Sequence, residues 1–477
     1  MRRLVLAIST ASVASTLLMA APHAPEAVKS FPLQDPQKPP QTQGEIVLTA
    51  NNPGSHPRVG MPDFAVVGNA AAAEAAKLLA DVLWSDLEYE REFYMINRKS
   101  SAGIPSAATA KDLPFAQWTQ IGADFVLMGS LKASGATLEV EIRLVGIRGD
   151  NPGREAFGQS YKGCTIENAR YCAHSIADDM HKTLRDLDGV ARTKIAFTSD
   201  REPARMTSRP VQDSGQSKEI YIMDYDGANV RPITRNKSLN IGPSWGPDGR
   251  TLAWASYTSQ YPDIYLTSLD GRPVTRPAQG TESIHNQSPA ISPDGTKIAF
   301  SSSRGGRAGY LDIWVVNRDG SNLRNLTVDW SDSSEGAPTW SPAGNQIAFT
   351  SDKPGSNQIY LMNADGTGRR RLTFEQQADR PAWSSKNFIA YTLRQPAGHD
   401  IAVLSLTESA PRILTNGSGS NRQPTVSANG RHVVFVTTRW GKEHLASIDI
   451  DGKPTSIKQL TTVGNNTYPN WSPSSGR

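Results

Sequence analysis

A pattern that recurs six times constrains this chain more than any other feature. PSWGPDGRTLAWAS starts at Pro243, PAISPDGTKIAFSS at Pro289, PTWSPAGNQIAFTS at Pro338, PAWSSKNFIAYT at Pro381, PTVSANGRHVVFVT at Pro424, and the shorter PNWSPSSG at Pro469. The spacings are 46, 49, 43, 43 and 45 residues. A second apolar run follows each of the first five: DIYLTSLDG, DIWVVNRDG, QIYLMNADG, DIAVLSLTES and HLASIDIDG. Leucine-threonine pairs close several units, as in LRNLT, RRRLT, RILT and KQLTT. Each unit reads as four antiparallel strands: the first follows the proline, a Pro-Asp-Gly turn leads to the second, and an Asp-Gly turn joins the third to the fourth. Proline presets the first turn position, and glycine takes the positive φ that L-residues resist. Four-stranded repeats with a period of about 45 residues mark β-propeller blades. A solenoid would need capping repeats, and neither end of the array supplies one.

The array also closes on itself. KIAFTS (194–199) is a second strand without a first, and EIYIMDYDG and RPIT follow it. The C-terminal PNWSP is a first strand without a second. Joined, the two ends make one blade and leave no exposed edge strand. Five whole units and one shared unit give six blades, and the half-finished turn at the C-terminus is read as a closure device.

Residues ahead of the propeller have a different grain. Residues 1–22, MRRLVLAISTASVASTLLMAAP, place two arginines before an uncharged run ending in small residues, the layout of a signal peptide for export. Residues 23–44 form a Pro-rich arm with few large apolar side chains, expected to be extended and solvated. Residues 45–190 read as an α/β domain. FAVVG and EFYMINR are strands, AAAEAAKLLADVLWSDL and PFAQWTQIG helices, and ADFVLMGSLKASGATLEVEIRLVGI two strands split at Gly135. Asn168–Leu187 carries Ala173, Ile176, Ala177, Met180, Leu184 and Leu187 on one helical stripe. His174 and His181 on this helix read as surface polar residues. The propeller is assigned to 191–477.

Composition excludes several function classes. A net charge of +4 is too weak to point to nucleic acid. GxGxxG, a phosphate loop, HExxH and CxxC are absent, so neither a cofactor nor a metal is expected. The two cysteines, Cys164 and Cys172, read as a disulfide formed in an oxidising compartment; two small buried residues are the alternative. An enzyme is the remote alternative. The peptidases that propellers gate need a nucleophile elbow, GxSxG is absent, and the first strands offer Ser and Trp rather than carboxylates for a hydrolase.

GADFVLMGSLKASGATLEVEIRLVGI, then YCAHSIADDMHKTLRDLDGVARTKIAFTS, then SPDG repeats ending in PNWSP, resemble the TolB family of the Tol–Pal cell-envelope system. The resemblance covers about residue 45 to the end. It implies a small α/β domain followed by an all-β six-bladed propeller closed by pairing of its N- and C-terminal strands. It also implies a periplasmic binding scaffold and no enzyme. Such proteins hold the peptidoglycan-associated lipoprotein at one mouth of the propeller channel and engage a TolA-like protein through their N-terminal segment. They meet the outer membrane only through partners, and they support its integrity and cell division. The Pro-rich arm departs from the family, whose members begin close to the first strand. A propeller docking a different envelope lipoprotein or a glycan is the alternative.

Tight turns occupy one face of such a ring and variable loops the other, so the loops are the expected recognition surface. The segments before each proline surround the channel mouth and offer His285, Ser288, Arg380, Arg422 and Tyr468. Among these, His285-Asn286 resembles the family's channel-mouth histidine loop. Arg304, Arg394 and Arg439, each after a second strand, read as an outer basic ring or as solvated caps.

Overall fold

The computed structural model describes residues 56–474, apart from 108, 150–151, 203–216, 271, 306–308, 331, 375 and 409. The signal peptide read at 1–22 and the arm at 23–44 lie outside the described residues. Strands β1 (Arg58–Gly60) and β2 (Ala65–Val67) lead into helix α1 (Ala70–Tyr89) and β3 (Tyr94–Met95). The short helices α2 (Arg98–Ser101) and α3 (Phe115–Gln120) come next, then β4 (Phe125–Ser134), β5 (Thr137–Gly146), β6 (Glu155–Thr165) and helix α4 (Ala169–Arg185). The sheet runs β3-β1-β4-β5-β6, with β2 also on β4. Strict alternation makes β5 two-faced: Leu138, Val140, Ile142 and Leu144 are fully buried in one cluster with the apolar stripes of α1 and α4. Trp118 of α3 packs with Val126, Met128 and Val145 in a separate cluster.

The sequence reading misses β6. Its apolar residues Ala156, Phe157, Tyr161 and Cys164 do not alternate, because the strand is bulged against β5 in two places. Cys164 at its end and Cys172 on α4 are placed as a disulfide, with Cα atoms 5.8 Å apart. Helix α4 stops at Asp186, which adopts φ +48° and returns its N–H to the His181 and Lys182 carbonyls, so Leu187 falls outside it. Asp178 then ties down the segment leading to the propeller, accepting from the Ala191 N–H at 2.9 Å and from Arg192 Nε at 3.0 Å. A Cβ on Gly189 would lie 2.1 Å from the Asp178 carboxylate, so this close approach requires glycine.

Six four-stranded sheets follow. Blades 1 to 5 start at Asn240, Asn286, Glu335, Ala378 and Asn421; blade 6 takes its inner strand from Asn466–Trp471 and the rest from 194–232. Asn466 pairs with Ser199 and Trp471 with Ile195, while Lys194 and Ser472 exchange hydrogen bonds of 2.9 and 2.8 Å. The ring therefore closes by pairing of terminal strands, as the repeat arithmetic requires.

One expectation needs correction. The inner strands do not start at the prolines; each starts three residues earlier, so the residues read as loop are strand. Proline is tolerated there because every inner strand bulges at it, with a register shift between the paired residues on either side.

A buried polar staple joins neighbouring blades. Asn240 donates to Glu219 of blade 6 at 3.0 Å, Asn286 to Asp263 of blade 1 at 2.8 Å, and Asn421 to Asp400 of blade 4 at 3.1 Å. The threonines of the LT pairs serve the same edge. Thr327, Thr373 and Thr415 accept an N–H from the third strand and donate to Asp312, Gln358 and Asp400. Each of these side chains makes at least one hydrogen bond inside the fold, as burial demands, with Asn421 Oδ1 left as a buried acceptor without a partner. Blade 3 breaks the pattern with Glu335, whose acid faces Asp312. Burial, reinforced by Asp312 and Asp352 against hydrogen bonds from Ser333 and Ser351, pushes this carboxyl up to about 7.

The N-terminal domain docks on the tight-turn face over blades 5 and 6. Apolar packing is continuous from α1 and α4 to Tyr221, Tyr225, Val434, Leu445 and Trp471. Polar groups are sealed in with it. Asp86 accepts from the Tyr225 hydroxyl at 2.6 Å and bonds His174 Nδ1 at 2.7 Å. Glu90 accepts from Asn429 at 2.9 Å and bonds His432 Nε2 at 3.2 Å. Arg170 pairs with Asp224 and Asp226, and Arg431 with Glu92. His174 and His181 are thus not surface residues; both are about 1% exposed.

Candidate functional site at the channel mouth

The six bulges build the mouth. The residue before each proline, namely Gly242, Ser288, Ala337, Arg380, Gln423 and Tyr468, has φ between +48° and +64°. Only the first is glycine, and a residue preceding proline is normally held in the β region. Five side chains are therefore kept in a strained conformation at one ring of positions, and the surrounding contacts hold them there. The Gly242, Arg380 and Gln423 N–H groups donate to Thr198, Thr350 and Thr392 on the second strand of the preceding blade, at 3.2, 3.1 and 2.9 Å. The Tyr468 N–H donates to Gln423 Oε1 at 2.8 Å.

These side chains meet across the channel. The Arg380 guanidinium of blade 4 lies 4.6 Å from the centre of the Tyr468 ring of blade 6, reaching past blade 5. Tyr468 in turn approaches Gly242 of blade 1, where a Cβ would lie 4.0 Å from the ring. Beside this pair is a cleft of about 240 Å³ lined by Asp379, Arg380, Arg394, His399, Arg422 and Gln423, with Asn357, Gln377 and Thr392. Arg422 is paired with Glu443, and Arg380 lies 3.9 Å from Asp379. Burial, helped by Arg394 and Arg422, holds the His399 imidazole below its usual range.

Of the residues singled out in the sequence, Arg380, Arg422 and Tyr468 come together here. Ser288 occupies the bulge of blade 2. His285 is exposed on the same face but stands between blades 1 and 2, away from the cleft. Asn286 does not reach the mouth: it is fully buried, bonded to Asp263 and Ser302. Sequence reasoning missed Asp379, His399 and Gln423, and placed Arg394 in an outer ring. In blades 2 and 3, cations after the second strand do cap the blade, Arg304 over Trp314 and Lys353 over Trp330. Arg394 sits one repeat position earlier, in a strand that continues to Gln395 and pairs it with His399. One step along a strand reverses the face.

Among the described residues no set of three His, Cys, Asp or Glu side chains is placed to hold a metal ion, and no helix is long and apolar enough to cross a membrane. Residues 181–475 match the TolB beta propeller domain and residues 45–152 the TolB amino-terminal domain. The chain is 31% identical over 276 residues to the Tol-Pal system protein TolB of Desulfosudis oleivorans, a match covering 57% of this chain and 58% of that protein. With the Tol-Pal system protein TolB of Francisella tularensis it shares 28% identity over 369 residues, covering 75% of this chain and 80% of that one. The fold matches a crystal structure of TolB from Acinetobacter baumannii with a TM-score of 0.68 at 21% identity, over 88% of this chain and 97% of that one. These relatives are named as system components rather than as enzymes, and with a propeller match spanning residues 181–475, the chain belongs to the TolB family.

Proposed function

We propose that this chain is the periplasmic protein-binding scaffold of a Tol–Pal system. Its reading is that the peptidoglycan-associated lipoprotein docks on the open face at the channel mouth, in support of outer-membrane integrity and cell division. The observation that carries it is the ring of bulged positions at positive φ. Strained backbone that aims side chains such as Arg380 and Tyr468 at the channel is costly for folding alone, and it lies on the face that the N-terminal domain leaves free. Residues 23–44 are proposed to engage a TolA-like protein.

Calorimetry of the mature protein against the periplasmic domain of the same organism's lipoprotein tests the docking. One-to-one binding, weakened at least about tenfold by Tyr468→Ala and less by His285→Ala, is expected from a central anchor and a rim residue. Binding untouched by either substitution would move the site off the mouth. Absence of binding would leave a propeller serving another envelope lipoprotein or a glycan.

A further inference from the structure

The cleft between blades 4 and 5 has a charge count that selects its ligand. It gathers three guanidinium groups, Arg380, Arg394 and Arg422. Two carboxylates answer them: Asp379 in the cleft and Glu443 on Arg422. One positive charge remains. The Arg394 guanidinium is exposed and, among the described residues, forms no hydrogen bond or ion pair. The side walls are fixed by regular structure. Blade 4 carries a ribbon from Phe388–Gln395 to Gly398–Ser405, and blade 5 one from His432–Trp440 to Lys442–Asp449, both running past the length of the corresponding strands in blades 1 to 3. His399, opposite Arg394 in the blade 4 ribbon, keeps a hydrogen bond with Ser420 at 3.2 Å.

We infer that this cleft receives a single carboxylate, an Asp or Glu side chain of the protein docked at the channel mouth, with Arg394 as its principal partner and Arg422 beside it. A guanidinium presents two parallel donors that match a carboxylate. One uncompensated charge suits a monoanion; a dianion would meet Asp379 and Glu443. The inference rests on the docking reading for the identity of the partner, although the cleft's preference for a carboxylate can be tested without one.

Two arms separate the possibilities. The first follows the His399 ring proton by NMR through a pH titration of the full mature protein, in sodium acetate and in sodium chloride at equal ionic strength. Acetate should raise the midpoint of His399 in the wild type and leave it unmoved in Arg394→Ala, with sulfate, a dianion throughout the titration, acting more weakly. The second arm measures lipoprotein binding. Arg394→Ala should weaken it about tenfold, the loss of one charge-assisted hydrogen bond, and flatten its salt dependence, with Arg394→Lys in between. If the lipoprotein binds and Arg394→Ala changes neither affinity nor salt dependence, the cleft inference is overturned and the docking stands. If the lipoprotein does not bind, the docking reading falls and the acetate arm alone decides. A midpoint indifferent to acetate, or one that answers sulfate more strongly, then overturns the inference.

Discussion

On the tight-turn face, Asp86, Glu90, His174 and Asp224 are buried and each is answered by a named partner. On the open face, Arg380, Arg394 and Arg422 stand at a cleft with one charge in excess. Both faces come from the same four-stranded repeat. What separates them is what lies above: the N-terminal domain seals the first face at blades 5 and 6, and none of the described residues covers the mouth of the second. A buried charge must be satisfied or it destabilises the fold, whereas an exposed one costs little and stays available. Substitutions on the first face should therefore register as stability, and those on the second as binding.

The largest effect is expected at Asp86. Asp86→Ala would leave the Tyr225 hydroxyl buried and deprive the His174 imidazole of its closest carboxylate. A loss of about 3–5 kcal/mol is expected, read by denaturant unfolding, with calorimetry resolving a separate, earlier transition of the N-terminal domain. Arg394→Ala should stay within about 0.5 kcal/mol of wild type. Equal effects from the two substitutions would break the comparison.

His174 gives the interface a pH signature. Burial disfavours its charge, but Asp224 and Asp86 outweigh that and raise its pKa to about 9. A histidine whose folded pKa is raised contributes fully below about pH 6.5, and the contribution fades as pH climbs through 9. The His174 contribution should thus decline from pH 6.5 to 9 by up to about 3 kcal/mol. A His174→Gln protein should lose that share of the slope while keeping the share of His432, where burial is likewise outweighed by Asp449 and Glu90, which raise its pKa. A wild-type profile flat across this window would mean the imidazole is neutral in the fold.

These contrasts also mark what the sequence could convey. Blade number, ring closure and the α4 stripe follow from period and alternation, which are local regularities printed in the chain. The cleft was half legible. Arg380 and Tyr468 stand directly before prolines and Arg422 one residue further back, but the positive φ of Arg380 and Tyr468 is not a propensity signal, since proline argues against it. Arg394 was assigned to the wrong face because its place depends on the second strand of blade 4 running two residues further before it turns. The interface was least legible: Asp86 and His174 are 88 positions apart, and nothing near either one announces the other. His174 on its own helix is indistinguishable from a solvated residue.

Glu335 offers a smaller test within the ring. It stands where blades 1, 2, 5 and 6 have asparagine, and its folded pKa of about 7 lies above the ordinary value. The raised acid favours the fold below about pH 4.5, and the benefit is lost as pH rises through 7. Glu335→Gln would give Asp312 a donor in place of a second acid. It should stabilise the protein by on the order of 1–3 kcal/mol at pH 8 and by almost nothing at pH 4.5. A gain of the same size at both pH values would point to packing rather than charge.

The smallest expected effect sharpens the comparison on the open face itself. Arg304 lies just after the second strand of blade 2 and Arg394 within the end of that of blade 4, and composition alone cannot tell them apart. Arg304 lies over Trp314 and donates to the Ala278 and Gln279 carbonyls at 2.8 and 3.0 Å, so it closes the rim of its own blade. Arg304→Ala should cost about 1 kcal/mol of stability, the scale of a partly exposed cap with a cation–π contact. Because those donors are already occupied, it should leave lipoprotein affinity where it was. Arg394→Ala should do the reverse. Unfolding and calorimetry on the two variants in parallel would read both quantities. If Arg304→Ala lowered affinity as much as Arg394→Ala at unchanged stability, the two arginines would form one basic rim, and the division between structural cap and binding cleft would have to be abandoned.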